Sequence, residues 1–180
     1  MKIGLVRHFK VIRGYPEKKI ISQKELFQWI EEYETSDIVD GTVDLGGIEW
    51  TKCYTSDVHR AVRTAQQIYS GEIVKMKELR EIPMYPLFKR NMKLPFLMWA
   101  ILVRTAWLIN HKSQQETKVD VEKRVNSVLE QIMQNQNENI LIVGHGAFLM
   151  MMSKELLKRG FKGKKITRPE NGKLYIFEKN

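Results

Sequence analysis

Short apolar runs of strand length alternate with amphipathic stretches of helix length along almost the whole chain, and few folds accommodate that alternation. The runs fall at Lys2–Val6, Lys52–Thr55, Ile73–Lys77, Ile140–Val143 and Leu174–Phe177, each bounded by polar residues or glycine. Between them, Gln23–Tyr33 sets Leu26, Trp29, Ile30 and Tyr33 on one face, and His59–Tyr69 does the same with Ala61, Ala65 and Ile68. Further helices fit Leu94–Ile109, Val121–Met133 and Phe148–Leu157. The order predicts an α/β fold, a three-layer sandwich with a largely parallel central sheet. Residues 1–180 read as one domain, with a segment at 83–118 that can form an insertion over the site. Pro83, Pro86 and Pro95 punctuate that segment. Its Met84, Tyr85, Phe88, Met92, Phe96 and Trp99 serve equally well as core filler or as a wall against an organic leaving group.

Of the 180 residues, 43% are hydrophobic, enough for a real core, which excludes wholesale disorder. Cys53 is the sole cysteine, so a disulfide scaffold is excluded, and its apolar surroundings read as those of a buried structural thiol. The start, Met1 to His8, fits no secretory signal. Leu94–Ile109 comes nearest to a membrane span, but Pro95 opens it, Arg104 interrupts it, and it is short of the roughly 20 residues needed. These features point to the cytoplasm and away from a membrane. An exposed face on that helix would favour a homodimer over a monomer.

Lys and Arg total 30 against 21 Asp and Glu, a net charge of +9. The basic residues are scattered, and the densest run, Lys158 to Arg168, reads as a solvated connection, so nucleic-acid binding is disfavoured. The same bias suits an enzyme for small, anionic, phosphorylated substrates.

Open α/β sheets bind ligands beyond the carboxyl ends of their strands. The polar residues expected there are Arg7 and His8 after the first strand, Thr55, Ser56 and then Arg60 after the second, Glu81 after the third, and His145 after the fourth. Each has an ordinary reading alone: a strand-end histidine is usually structural, a first-turn arginine is usually a surface charge, and Glu81 can pair with Arg80. All five charged or imidazole groups at one sheet edge suit phosphoryl transfer. Arginine forks match phosphate oxygens bidentately, neutral imidazole is a competent nucleophile, and a glutamic acid can protonate the leaving oxygen. His8, His59, His111 and His145 lack metal-ligand spacing, and no GxxxxGK[ST] loop is present, so neither a metal nor a cofactor is expected.

The blocks Leu5-Val6-Arg7-His8, Tyr54-Thr55-Ser56-Asp57 with Arg60-Ala61 and Thr64-Ala65, Leu79-Arg80-Glu81-Ile82, and Val143-Gly144-His145-Gly146 together resemble the histidine phosphatase superfamily, the phosphoglycerate-mutase-like family, in order and spacing. The resemblance implies a metal-independent phosphatase that hydrolyses phosphomonoesters through a phosphohistidine on His8. It further implies that Arg7, Arg60 and His145 hold the phosphoryl group and that Glu81 is the proton donor. Two departures stand out. Phe9 occupies the place where the family has glycine, and it is expected to crowd or reshape the entrance. Lys10 and Arg13 follow, and they are expected either to bind a second anionic group of the substrate or to form a solvated face. A mutase on the same scaffold and a catalytically weakened phosphate-binding module are the alternatives, and the short chain favours the phosphatase over the mutase.

Overall fold

Strand β1 (Lys2–Arg7) pairs in parallel with β6 (Ile140–Gly144) on one side and antiparallel with β8 (Leu174–Glu178) on the other. Strand β3 (Lys52–Ser56) extends the parallel set beyond β6, and β4 (Ile73–Met76) closes that edge. The two-residue strand β7 (Lys162–Gly163) closes the other edge beside β8, giving the order β4-β3-β6-β1-β8-β7. The computed structural model describes residues 1–88, 90–134 and 138–179.

Successive strand side chains point to opposite faces, and the cores follow that period. Ile3, Leu5, Ile140 and Ile142 pack with Val121, Val125 and Leu129 of α4 (Lys118–Ile132) and with Phe148, Leu149 and Met152 of α5 (Gly146–Lys158). Val6, Cys53, Leu141 and Val143 pack instead with Ala61 and Ala65 of α2 (His59–Ile68) and with Trp50. Helices therefore cover both faces of a largely parallel sheet, the expected three-layer sandwich. Gly4 is required by this packing, since a Cβ there would lie 2.6 Å from Cη2 of Trp50. Burial pushes the Cys53 thiol up to about 12, as a structural cysteine demands.

A second assembly sits beside the sheet. Strands β2 (Ile20–Ser22) and β5 (Lys93–Pro95) pair antiparallel, and α1 (Gln23–Thr35) and α3 (Phe96–Leu108) pack over them around Ile21, Leu26 and Trp99. Trp99 Nε1 donates to the Ile21 carbonyl at 2.9 Å, which ties α3 to the ribbon. The cap is thus built jointly from residues 20–35 and 93–108. Its outer side presents Leu97, Met98, Ile101, Leu108 and Ile109 to solvent. No helix among the described residues is long and apolar enough to cross a membrane.

Local chemistry explains where the helices begin. Ser22 and Glu25 form a capping box at α1, and Thr117 and Asp120 form another that starts α4 at Lys118, one turn before the apolar pattern becomes visible at Val121. Helix α5 has no capping side chain of its own at His145. Glu81 supplies the acceptors instead, and the helix accordingly begins at Gly146 rather than Phe148.

Candidate active site

The carboxyl ends of the parallel strands meet at one cavity of about 310 Å³, whose lining includes Arg7, His8, Arg60, Glu81 and His145. Strand β1 delivers Arg7 and His8, and pairing with β6 fixes their height: the His8 amide donates to the Gly144 carbonyl at 3.0 Å, next to His145. Strand β3 ends at Ser56, and Arg60 follows in the first turn of α2. A 3₁₀ turn over Lys77–Leu79 leads from β4 to Glu81. The five residues named as the reacting set therefore come together.

His8 is buried, and its Nδ1 lies 2.7 Å from the carbonyl of Phe9. A carbonyl only accepts, so Nδ1 carries the proton and Nε2 keeps its lone pair. Burial, then the positive charge of Arg60, pushes the His8 pKa down to about 3, so the imidazole is neutral. His145 stands with its ring centroid 5.2 Å from that of His8. Its Nε2 lies 2.9 Å from the Ser56 hydroxyl, and burial, followed by the charges His8 would carry and Arg60 does carry, holds it well below the usual histidine range.

Arg7 donates Nη1 to the Pro169 carbonyl at 3.0 Å, and Arg60 donates Nη1 to the Glu34 carbonyl at 3.1 Å with its guanidinium near the Tyr33 ring. Burial lowers the Arg60 pKa, partly offset by the charges of Tyr33 and Glu34. Four buried side-chain nitrogens among the described residues have no hydrogen-bond partner: Arg7 Nε, Arg60 Nε and His145 Nδ1 belong to this cavity, and the fourth is Trp107 Nε1. Unsatisfied buried polar atoms are costly. Three around one cavity, two of them on cations, fit an oxyanion with several acceptor oxygens.

Glu81 lies at the N-terminus of α5. Its Oε1 accepts from the Ile82 and Phe148 amides at 2.9 and 3.0 Å, and its Oε2 accepts from the Ala147 amide at 3.0 Å. A Cβ at Gly146 would sit 3.5 Å from Arg7 Nε and 3.6 Å from Glu81 Oε2, so the guanidinium and the carboxyl flank the same point. Arg80 is bidentate to Asp57, not paired with Glu81.

Three further groups of residues lie away from the cavity. Phe9 is 4% exposed and does not line the cavity. Its ring lies 3.0 and 2.8 Å from where Cβ atoms of Gly41 and Gly172 would stand, so glycines at those two positions leave room for it. Lys10 and Arg13 are not brought to the cavity either. After Phe9 the chain pairs outward, with the Val39 amide on the Lys10 carbonyl and the Ile12 amide on the Asp37 carbonyl; Lys10 is exposed, and Arg13 Nε binds Glu32 at 2.9 Å. Tyr85, Phe88, Phe96 and Trp99 do not form the wall beside the leaving group. Met84 and, from α1, Trp29, Ile30 and Tyr33 line the cavity instead. The last three belong to the apolar face read from the sequence, where such a face looks the same whether it meets a core or a ligand.

Two supporting residues had no assigned role, although Thr64 falls within a block that carries the resemblance. Thr64 accepts the Phe9 amide at 3.0 Å while donating to the Arg60 carbonyl, and Asn171 reaches back from the C-terminal loop to the carbonyls of His8 and Phe9. Arg104 of α3 also lines the cavity. Among the described residues no group of three His, Cys, Asp or Glu is gathered as a metal ion requires.

A family model described as histidine phosphatase superfamily (branch 1) matches residues 43–180, a span that holds Arg60, Glu81 and His145. Arg7 and His8 precede it and are joined to it by the β1–β6 pairing. No curated protein matches by sequence. Among solved structures, a phosphoglycerate mutase from Bacillus anthracis str. Sterne superposes with a TM-score of 0.62 at 18% identity, over 97% of this chain and 86% of that one. An α-ribazole phosphatase from Shigella flexneri gives 0.61 at 18% identity over 100% and 91%. A phosphoserine phosphatase mutant from Entamoeba histolytica, in complex with phosphoserine, gives 0.51 at 20% identity over 87% and 80%. At these identities the likeness is one of fold.

Proposed function

Because the chain belongs to the histidine phosphatase superfamily, we propose that it hydrolyses small phosphomonoesters, without a metal, through a phosphohistidine on His8. The carrying observation is the set of unpartnered buried nitrogens, Arg7 Nε, Arg60 Nε and His145 Nδ1, on residues that line the cavity together with a neutral His8. A phosphate dianion seated there meets two guanidinium groups and an imidazole, which stabilise the charge on its equatorial oxygens as the transition state forms. Nε2 of His8 forms the bond to phosphorus while the bond to the leaving oxygen breaks. The proton stays on Nδ1, and its hydrogen bond to the Phe9 carbonyl steadies the positive charge that develops on the ring.

Glu81 supplies the proton to the leaving oxygen. Its Oε1 already accepts two amides, but Oε2 accepts only one, which leaves a lone pair on Oε2 to carry that proton. In the second step water attacks phosphorus, the phosphorus–nitrogen bond breaks, and the ionised Glu81 takes a proton from that water. Inorganic phosphate leaves and His8 is regenerated.

The test is hydrolysis of p-nitrophenyl phosphate by wild type and His8→Ala, with and without EDTA. Activity that survives EDTA and vanishes in His8→Ala, with phosphate released to water, is the expected result. Transfer of the phosphoryl group between positions of a sugar-acid phosphate without release would mark a mutase, and binding of phosphate without turnover would mark a phosphate-binding module.

A further inference from the structure

We infer that the outer face of α3 is a membrane-association surface, by which the protein rests on a bilayer rich in anionic lipid. Helix α3 turns one side inward: Trp99, Val103, Ala106 and Trp107 are buried, and the bond from the Trp99 indole to the Ile21 carbonyl fixes the helix's rotation. The opposite side carries Leu97, Ile101 and Leu108, spaced by four and then seven residues along one helix face, with Met98 and Ile109 beside them. Leu97 is 70% exposed, Ile101 56% and Ile109 67%. Ile20 continues the patch onto the ribbon, since it is exposed and pairs with Pro95 immediately before α3. Single exposed apolar side chains are ordinary, but a continuous apolar face marks a place of contact.

Charge selects what that contact is with. From Ile82 to Gln115 the chain has no carboxylate side chain and five Lys and Arg. Exposed Lys19 and Lys93 flank the start of α3, where the Phe96 amide donates to the Lys19 carbonyl at 3.3 Å, and exposed Lys112 follows its end. None of these three lysines forms an ion pair with a described residue, and Glu25, at the start of α1, is already held by Lys18 at 2.8 Å. The homodimer that such a face suggests fits less well, because an isologous contact would press a basic rim against an identical one with no carboxylate of this segment to answer it.

An anionic bilayer answers both features. Its headgroups neutralise the lysines while its acyl boundary takes the leucine and isoleucine side chains, as for a helix lying in the plane of a membrane surface. The 13 residues of α3, with Arg104 among them, are too short to cross a bilayer, but a helix lying on one needs neither greater length nor freedom from charge.

The experiment is flotation of the full chain with vesicles of equal parts phosphatidylglycerol and phosphatidylcholine, and with phosphatidylcholine alone, and it requires no turnover. Wild type should bind the anionic vesicles at least about tenfold more tightly than the neutral ones, and most of that difference should vanish in about 0.5 M salt. The double variants Leu97→Asp with Ile101→Asp, and Lys93→Gln with Lys112→Gln, should each weaken binding about tenfold or more. All four side chains face solvent, so circular dichroism and the thermal midpoint should stay close to those of wild type. Absence of wild-type binding, or binding that either double variant leaves unchanged, would overturn the assignment. In sedimentation velocity without vesicles wild type should be a monomer. A dimer that Leu97→Asp with Ile101→Asp dissociates would give the face to a second copy and overturn the assignment equally.

Discussion

Asn171 donates its side-chain amide to the carbonyl of His8 at 2.7 Å, joining the last loop of the chain to the first strand end. The same amide reaches the Phe9 carbonyl at 3.4 Å, and that carbonyl accepts the hydrogen bond from His8 Nδ1. Alongside, the Gly172 amide donates to the Arg7 carbonyl at 2.9 Å, and Arg7 Nη1 donates to Pro169. The carbonyl that faces Nδ1 of the proposed nucleophile is therefore also held from the C-terminal loop, 162 residues away in sequence. Asn171→Ala should lower kcat about 3- to 10-fold with KM nearly unchanged, since neutral hydrogen bonds to the His8 and Phe9 carbonyls are removed from a group that positions rather than touches substrate. Nitrogen-15 NMR of the imidazoles separates this from a general loss of packing: the His8 ring should become a mixture of tautomers while His145 is unaltered.

Phe9 offers a second check, because its burial is structural and remote from the cavity lining. Phe9→Ala should cost about 3–5 kcal/mol of stability, the usual range for emptying a buried aromatic site. It should not lower the KM for p-nitrophenyl phosphate. A clear fall in KM with stability intact would return Phe9 to the entrance and contradict its position between Gly41 and Gly172.

Acid should destabilise the protein in a window set by its buried imidazoles. His8 is pushed down to about 3, and His145 is also lowered, whereas histidines of an unfolded chain titrate near 6.5. Between those limits the unfolded state holds more protons than the native state, so unfolding free energy rises with pH there. The stabilisation is complete above about pH 6.5 and drains away as pH falls through the window toward 3. Urea midpoints at pH 7.5, 5.5 and 4.5 should decline steadily. His8→Asn, which removes one of the two groups, should flatten the slope by up to about 1.4 kcal/mol per pH unit; an unaltered slope in that variant would rule out His8 as the source.

How much of this was readable in advance follows from the range of each interaction. The sheet's main strands and the meeting of Arg7, His8, Arg60, Glu81 and His145 were legible, because period-two apolar runs mark β1, β3, β4, β6 and β8 and ligands gather at their carboxyl ends. Strands β2, β5 and β7, of three, three and two residues, are too short to show any alternation. Of the two readings open for Lys10 and Arg13, the sequence could not choose, because the turn after Phe9 that carries them away from the cavity is set by pairing with Asp37–Val39, a contact with no local sequence signal. Asn171 and Arg104 were invisible for the same reason. Arg104 even stood out as an interruption in an apolar stretch, but only the docking of α3 against α1 brings it to the cavity.

Glu81 carries two duties that one pair of substrates can separate. As a helix cap its carboxyl satisfies the Ala147 and Phe148 amides at the start of α5, and as an acid it would deliver a proton from Oε2. In Glu81→Gln the side chain keeps one acceptor oxygen but turns an NH₂ group toward a backbone N–H, so a stability loss of about 1–3 kcal/mol is expected whether or not Glu81 takes part in chemistry. Chemistry is read from the leaving group. The alkoxide released from glycerol 3-phosphate is too basic to depart unprotonated, whereas nitrophenolate needs no proton. Glu81→Gln should therefore lower kcat on glycerol 3-phosphate by about 10²- to 10⁴-fold and on p-nitrophenyl phosphate by about tenfold or less. Equal losses on the two substrates would leave Glu81 as a cap for α5 alone and require another donor for the leaving oxygen.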